Sequence, residues 1–222
     1  KWSFLSSATL SDFGDMSIGK LGTKGYESWG RRTFYVERFG NKDSMVKNAD
    51  SFVQNPTGYK QWDFMQKVLF QQNKYVSHLL NVQHSNTSDV PRYDRLTEIS
   101  MGKPTQAEWY YGPQTRTMLS YKLAIIWKSI AFDQANVIIA YQDMKESRHN
   151  RAFGSANLIH RNEHVKVSSF NADFQKEISP KSELRYGAEI THNGVQSRAS
   201  GENINSGAIT TQSTRYPDVG SK

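Results

Sequence analysis

The sequence predicts an all-β chain made of antiparallel hairpins, and three observations predict it. Apolar and polar residues alternate with period two over segments of about ten residues, as they do when successive side chains point to opposite faces of a sheet. Short polar connections within the hairpins alternate with long polar tracts between them. Hydrophobic residues make up only 36% of the 222 residues, yet 12% are aromatic, with 11 Tyr, 11 Phe and 5 Trp. A mean hydropathy of -0.70 ordinarily goes with a soluble or partly disordered chain, but a disordered chain is poor in rings.

The strongest alternation lies in Thr117 to Lys128, where Leu119, Tyr121, Leu123, Ile125 and Trp127 share one face and Met118, Ser120, Lys122, Ala124, Ile126 and Lys128 the other. From Phe132 to Gln142, Ala135, Val137, Ile139 and Tyr141 repeat the pattern, and the short link around Ser129 to Ala131 makes the two a hairpin. Glu183 to Asn193 puts Leu184, Tyr186, Ala188 and Ile190 on one face. Its partner is His164 to Lys176, with Phe170, Ala172 and Phe174, joined through Ser179, Pro180 and Lys181. Tyr59 to Phe70 carries Trp62, Phe64, Val68 and Phe70 and turns through Gln71 to Lys74 into Tyr75 to His84. A shorter pair is expected at Trp2 to Leu10 and Asp15 to Lys20, turning through Ser11 to Gly14.

Leu21 to Gly58, Ser85 to Gln114, Lys145 to Arg161 and Val195 to the end read as long polar loops. Loops this long are unusual in a compact soluble domain. They are regular in a transmembrane antiparallel β-barrel, where short periplasmic turns alternate with long extracellular loops. A strand in lipid must pair every backbone polar group with its neighbours, so its outer face is apolar while the inner face stays wet. Tyr59, Trp62, Tyr75, Trp127, Tyr141 and Tyr186, near strand ends, have the apolar body and polar tip suited to a headgroup boundary. The same alternation also fits a soluble β-sandwich whose oily face meets a protein core.

Several chemistries lack their residues. Cysteine is absent, which removes disulfides and thiolate metal sites. No apolar run approaches the ~20 residues of a membrane-spanning helix. The chain begins with Lys1 and shows no signal peptide, so it is expected to be processed or internal. Net charge is +7, but Lys and Arg are dispersed among acids rather than gathered in a stripe, so nucleic acid is not an expected partner. GxSxG, P-loop and GxGxxG are missing, and no enzyme activity or cofactor is expected. His78, His84, His149, His160, His164 and His192 are single in sequence and read as strand or loop surface residues; in a barrel, His84, His149, His160 and His192 fall near the loop-side rim.

The most distinctive text is HSNTSDVPRYDRLTE followed by AEWYYGPQTR. Asp89, Arg92, Asp94 and Arg95 alternate in charge and can form carboxylate–guanidinium pairs, while Pro91 and Pro113 stiffen the path. Trp109, Tyr110 and Tyr111 either pack the loop onto the barrel or offer stacking surface to a ligand. Arg92, Tyr93, Trp109, Tyr110 and His149 are the loop candidates for ligand contact.

SDVPRYDRLTE, AEWYYGPQTR, ESRHNRAFG and RTFYVERFG together resemble the β-barrel of TonB-dependent outer-membrane receptors, especially the Bacteroidetes receptors for haem, haemoglobin and siderophores. The resemblance implies a 22-strand barrel around a plug, of which residues 1–222 would supply about eight or nine strands as a partial barrel domain, with the plug and remaining strands elsewhere. It implies a place in the outer membrane, contact with its lipid, coupling to the TonB complex through the plug, and an extracellular small-molecule ligand such as haem or a ferric siderophore. The FRAP and NPNL strings that mark haem-receptor relatives do not occur, so the resemblance assigns no ligand histidine.

Overall fold

The computed structural model describes residues 1–19 and 24–216. The elements in chain order are β1 (Trp2–Phe13), β2 (Phe34–Phe39), β3 (Lys42–Lys47), β4 (Tyr59–Gln71), β5 (Val76–Thr87), β6 (Val90–Pro91), the single helical turn α1 (Tyr93–Leu96), β7 (Ile99–Ser100), β8 (Lys103–Pro104), β9 (Gln106–Tyr111), β10 (Thr115–Ile126), β11 (Gln134–Ala152), β12 (Asn157–Ser179), β13 (Ser182–Asn203) and β14 (Ile209–Thr211). The protein is all-β. One ten-stranded sheet runs in the order β1-β4-β5-β10-β11-β12-β13-β14, with β9 pairing β11 and β6, and every pairing in it is antiparallel. The sheet does not close on itself. β1 bonds only β4, and on β13 the stretch from Ser182 to Ala199 has no second strand partner among the described residues.

The three expected long hairpins form, with turns at 72–75, 127–133 and 180–181 at one end of the sheet. Polar side chains close these turns: Asn73 Oδ1 accepts the Tyr75 and Val76 amides at 2.8 and 2.9 Å, and Lys176 Nζ donates to Ser129 O at 2.6 Å and Asp133 Oδ1 at 2.9 Å.

The expected hairpin of Trp2 to Leu10 with Asp15 to Lys20 does not form. β1 runs through Ser11 to Phe13 and pairs in full with β4, because Trp2 then stacks on Phe70 with centroids 4.4 Å apart and Phe13 meets Tyr59 at 4.7 Å. Residues 15–19 are loop, in which Asp15 Oδ1 accepts the Thr57 and Gly58 amides at 2.6 and 2.8 Å, and Lys20 lies outside the described residues. The supposed loop Lys145 to Arg161 is instead a continuation of the β11–β12 ladder to the pair Asn150–Ile159, closed by a turn with Gly154 at φ +77°. Likewise β13 continues past Val195 to Asn203. These extensions are polar yet strand-forming, since every added residue gains a cross-strand partner. The tract Leu21 to Gly58 contains the β2–β3 hairpin, and Ser85 to Gln114 contains β6 to β9.

Directly opposed residues share a face. One row reads Phe4, Val68, Leu80, Tyr121, Ile139, Phe170, Ile190 across seven strands, and every member is apolar or aromatic. Of the two adjacent rows, on the reverse face, one reads Leu5, Lys67, Asn81, Ser120, Ala140, Ser169, Thr191 and the other Ser3, Leu69, Leu79, Lys122, Ile138, Asn171, Glu189. The apolar face is uncovered: Phe4 is 68% exposed, Ile139 55% and Ile190 67%. The interior is inverted relative to an ordinary globule, since Arg151 and Ser197 are the largest fully buried side chains.

The apolar band also slants. The row through Ser6, mid-way along the β1 stretch Trp2 to Leu10, reaches β13 at His192, beyond that strand's apolar stretch Leu184 to Ile190. From its middle to His192 is about five residues, or ~17 Å at ~3.3 Å each, over strands ~4.8 Å apart, which sets the band at roughly 30° to the hydrogen-bond rows.

Candidate functional site

The long connections gather at the end opposite the short turns, and arginines tie them together. Arg32 is 5% exposed; its Nη1 donates to Leu96 O at 2.8 Å and its Nε to Asn55 O at 3.0 Å. Burial lowers its pKa. Arg151, 1% exposed, donates to Asp43 at 2.7 Å, Glu108 at 2.7 Å and Ser155 O at 2.7 Å. Asp43 also accepts the Gly154 amide at 2.7 Å and Arg38 at 3.0 Å, and Arg38 reaches Asn205 at 2.7 Å. Burial alone would raise the Asp43 carboxyl, but Arg151, Gly154 and Arg38 outweigh it and hold it below the usual range. The β2–β3 hairpin is thereby pinned to the β11–β12 tip and to the turn before β14.

Beside this network, the five candidates fall into three separate contacts. The Arg92 guanidinium lies over Trp109, 4.6 Å from the ring centroid, while its Nε bonds both Asp94 oxygens at 3.0 and 3.2 Å. Trp109 meets Tyr111 edge-on at 4.9 Å. Tyr93 opens α1 and sits under Arg32, 5.5 Å from centroid to guanidinium. Tyr110 stacks on His149 at 4.7 Å, with ring planes 19° apart. Of the alternating charges, Arg95 bonds Glu98 at 2.6 Å, and burial raises the Asp89 carboxyl.

Folding of the β11–β12 tip brings together histidines that are eleven residues apart in sequence. His149 Nδ1 lies 2.6 Å from His160 Nδ1, and His160 Nε2 lies 3.1 Å from Glu202 Oε2. One imidazole must donate and the other accept, so the contact holds a single proton. Burial, then the nearby His160 charge, lower the His149 pKa, against a raising bond to the Gly112 backbone. Burial, with Asp89, Glu108 and Glu202 nearby, pushes the Tyr110 phenol up to about 12. The set Tyr110, His149, His160 and Glu202 can hold and relay one proton or offer ring surface. Among the described residues no group of three His, Cys, Asp or Glu side chains is arranged to hold a metal ion.

Sequence reasoning placed His160 near the loop-side rim without making it a ligand candidate, and it missed Glu202, Asp43, Glu108 and Arg151. The available signal was Gly154: a turn centred there places position 149 opposite 160, as the ladder does. No protein-family model matches this chain, and the curated proteins compared with it include no match.

Proposed function

We propose that this chain is part of the wall of a transmembrane β-barrel in an outer membrane, belonging to a TonB-dependent receptor that imports a scarce nutrient, iron-bearing in our reading (haem or a ferric siderophore). One observation carries the membrane part: a slanted band of exposed apolar side chains crosses seven strands, while the reverse face mixes polar and charged residues with a few apolar ones such as Leu69, Leu79 and Ile138. Water penalises that face by about 25 cal/mol per Å² of apolar surface, and acyl chains do not. The slant of roughly 30° approaches the ~35–45° tilt of membrane barrel strands, whose apolar belt must lie level while the strands lean. Strands of 19, 23 and 22 residues exceed the ~9–11 needed to cross, leaving their polar ends outside with the tied loops. On this reading Lys67, Asn81, Ser120, Lys122 and Glu189 face the lumen. The TonB coupling and the iron-bearing ligand rest on the sequence resemblance alone.

The chain has no native cysteine, so single cysteines introduced at Leu119, Ile125 and Val137 report one site each. A bilayer-embedded spin label or quencher is expected to reach all three, while water-soluble maleimide reaches a cysteine at Ser120. Recovery of the chain as a monodisperse particle without amphiphile, with the three positions sealed from both reagents, would overturn the membrane reading in favour of a soluble β-sandwich, the alternative in which the chain is a surface module for glycan or protein. Ligand identity is tested separately, by binding of haem and ferric siderophores to the full receptor.

A further inference from the structure

We propose that the directly opposed histidines His149 and His160 are a chelating pair for a divalent transition-metal ion of the zinc and copper type, which clasps the β11–β12 tip. The site stands whether the apolar face of the sheet meets lipid or protein.

His149 on β11 and His160 on β12 are cross-strand partners, and Tyr110 on β9 stands opposite His149 from the other side. Directly opposed side chains leave an antiparallel pair with Cβ atoms ~4.5–5.5 Å apart, a spacing from which two imidazoles reach one ion in neighbouring coordination positions. Their Nδ1 atoms are already 2.6 Å from each other. Two nitrogens bound to one ion at ~2.0–2.1 Å, with an angle of about 90–109° between them, stand about 2.9–3.4 Å apart. The rings therefore part by about 0.3–0.8 Å, a rotation well inside a side-chain rotamer well.

The groups around the pair suit an ion. His160 Nε2 lies 3.1 Å from Glu202 Oε2, and a carboxylate there accepts, which keeps the proton on Nε2 and leaves Nδ1 with its lone pair. Tyr110, stacked on His149 at 4.7 Å, holds the second ring. As the ion enters, the His149 proton moves from Nδ1 to Nε2, so two neutral imidazoles bind it without losing a proton. Asp89, Glu108 and Glu202 all act on the Tyr110 phenol and make the surroundings of the pair favourable to a cation.

A recess of about 390 Å³ that reaches His149, lined also by Pro113, Ser147 and Asn162, gives the ion its way in. Among the described residues no group of three His, Cys, Asp or Glu side chains is placed to hold a metal, so water fills the remaining positions. Imidazole nitrogens select Cu²⁺ and Zn²⁺ over Mg²⁺ and Ca²⁺, which take oxygen ligands. Both histidines lie on the face of the apolar rows, away from Lys67, Ser120 and Lys122, so the ion is a clasp on the wall rather than a cargo on the reverse side. It joins residues eleven apart across the Gly154 turn and stabilises the closed tip according to its occupancy.

The test titrates Cu²⁺ into the intact, untagged chain after EDTA treatment, reading nitrogen hyperfine structure by electron paramagnetic resonance, and measures Zn²⁺ affinity by calorimetry. An ion coupled to two imidazole nitrogens is expected. H149Q and H160Q are each expected to lose the two-nitrogen pattern and to weaken Zn²⁺ binding at least tenfold. E202Q is expected to keep the pattern and weaken Zn²⁺ about tenfold, because the His160 ring loses its orienting partner. H192Q, at an exposed histidine on the same face, is expected to change neither. Saturating Zn²⁺ is expected to slow amide exchange across residues 147–162 in the wild type and not in H149Q. Absence of two-nitrogen coupling in the wild type, its persistence in both H149Q and H160Q, or an equal loss in H192Q would overturn the proposal.

Discussion

Tyr121 on β10 stands directly opposite Ile139 on β11, and the two side chains are 37% and 55% exposed at the centre of the widest apolar row in the sheet. Such a cross-strand pair is worth ~0.2–1 kcal/mol, but its larger contribution comes from what covers it. Nothing among the described residues does. The reverse side of the same strands carries Ser120 and Lys122, and the proposed place in a membrane wall rests on that contrast.

Arginine at Leu123 or Ile139 is expected to cost roughly 2–4 kcal/mol per site if these residues sit near the bilayer midplane. Substitution of Ser120 by Asn or Glu189 by Gln on the reverse face is expected to be milder. Urea titration of the vesicle-inserted protein measures both sets. Equal tolerance of the two would contradict the assignment of faces.

The three long hairpins were legible because period two is strong where one face is apolar. Leu119, Tyr121, Leu123 and Ile125 leave no other register for that face. The upper halves of β11, β12 and β13 were illegible for the complementary reason. ESRHN and RNEH are polar on both sides, so alternation carries no signal there, and only pairing to a neighbour makes them strand. The β1 error has a different origin: Ser11 to Gly14 has turn composition, but the aromatic pairings at Trp2 and Phe13 hold the segment straight against β4. Arg92, Trp109, Tyr110 and His149 were recognisable as residue types, whereas the bonds that fix their surroundings join Arg151 to Asp43, 108 residues away along the chain, and His160 to Glu202, 42 residues away, beyond any local pattern.

Asp43 and Arg151 form a buried pair, with side chains 0% and 1% exposed. Arg151→Met leaves the buried Asp43 charge with Arg38 and the Gly154 amide alone and is expected to cost up to about 3–5 kcal/mol at the loop cap. The double variant D43N/R151M removes both charges and should recover much of the loss. Hydrogen exchange of residues 34–47 and 147–160 reads the cap directly. An unprotected cap in the double variant, equal to that of Arg151→Met alone, would mean the pair is not what pins the hairpin.

The Tyr110 phenol, raised by burial to about 12, gives an alkaline limit. A group whose folded pKa lies above its ordinary 10.0 contributes its full stability below pH 10 and loses it as pH rises through the folded value. Tyrosinate absorbance should therefore show Tyr110 titrating late, alongside Tyr35 and Tyr93, whose phenols are also raised, with β9 loosening from β11 in the same range, and Tyr110→Phe should remove one late-titrating tyrosine together with the loosening. Loosening that persists in Tyr110→Phe would assign the alkaline limit to another group.

The His149–His160 contact sets the acid limit of the same tip. Its 2.6 Å separation accommodates one proton, so a second proton places two N–H groups against each other, with Tyr110 stacked on one side and Glu202 bonded to the far nitrogen of His160. The folded His149 pKa lies below its ordinary 6.5, so the opened tip binds a proton first as pH falls. The stability contributed by the pair is present above about pH 6.5 and is lost as pH falls through the folded value. Amide exchange across residues 147–162, taken relative to its base-catalysed intrinsic rate at each pH, should accelerate between pH 7.5 and 5.5 in the wild type and stay flat in His149→Gln, where the amide cannot take up the proton. Acceleration of the same size in His149→Gln would show that acid opens the tip elsewhere.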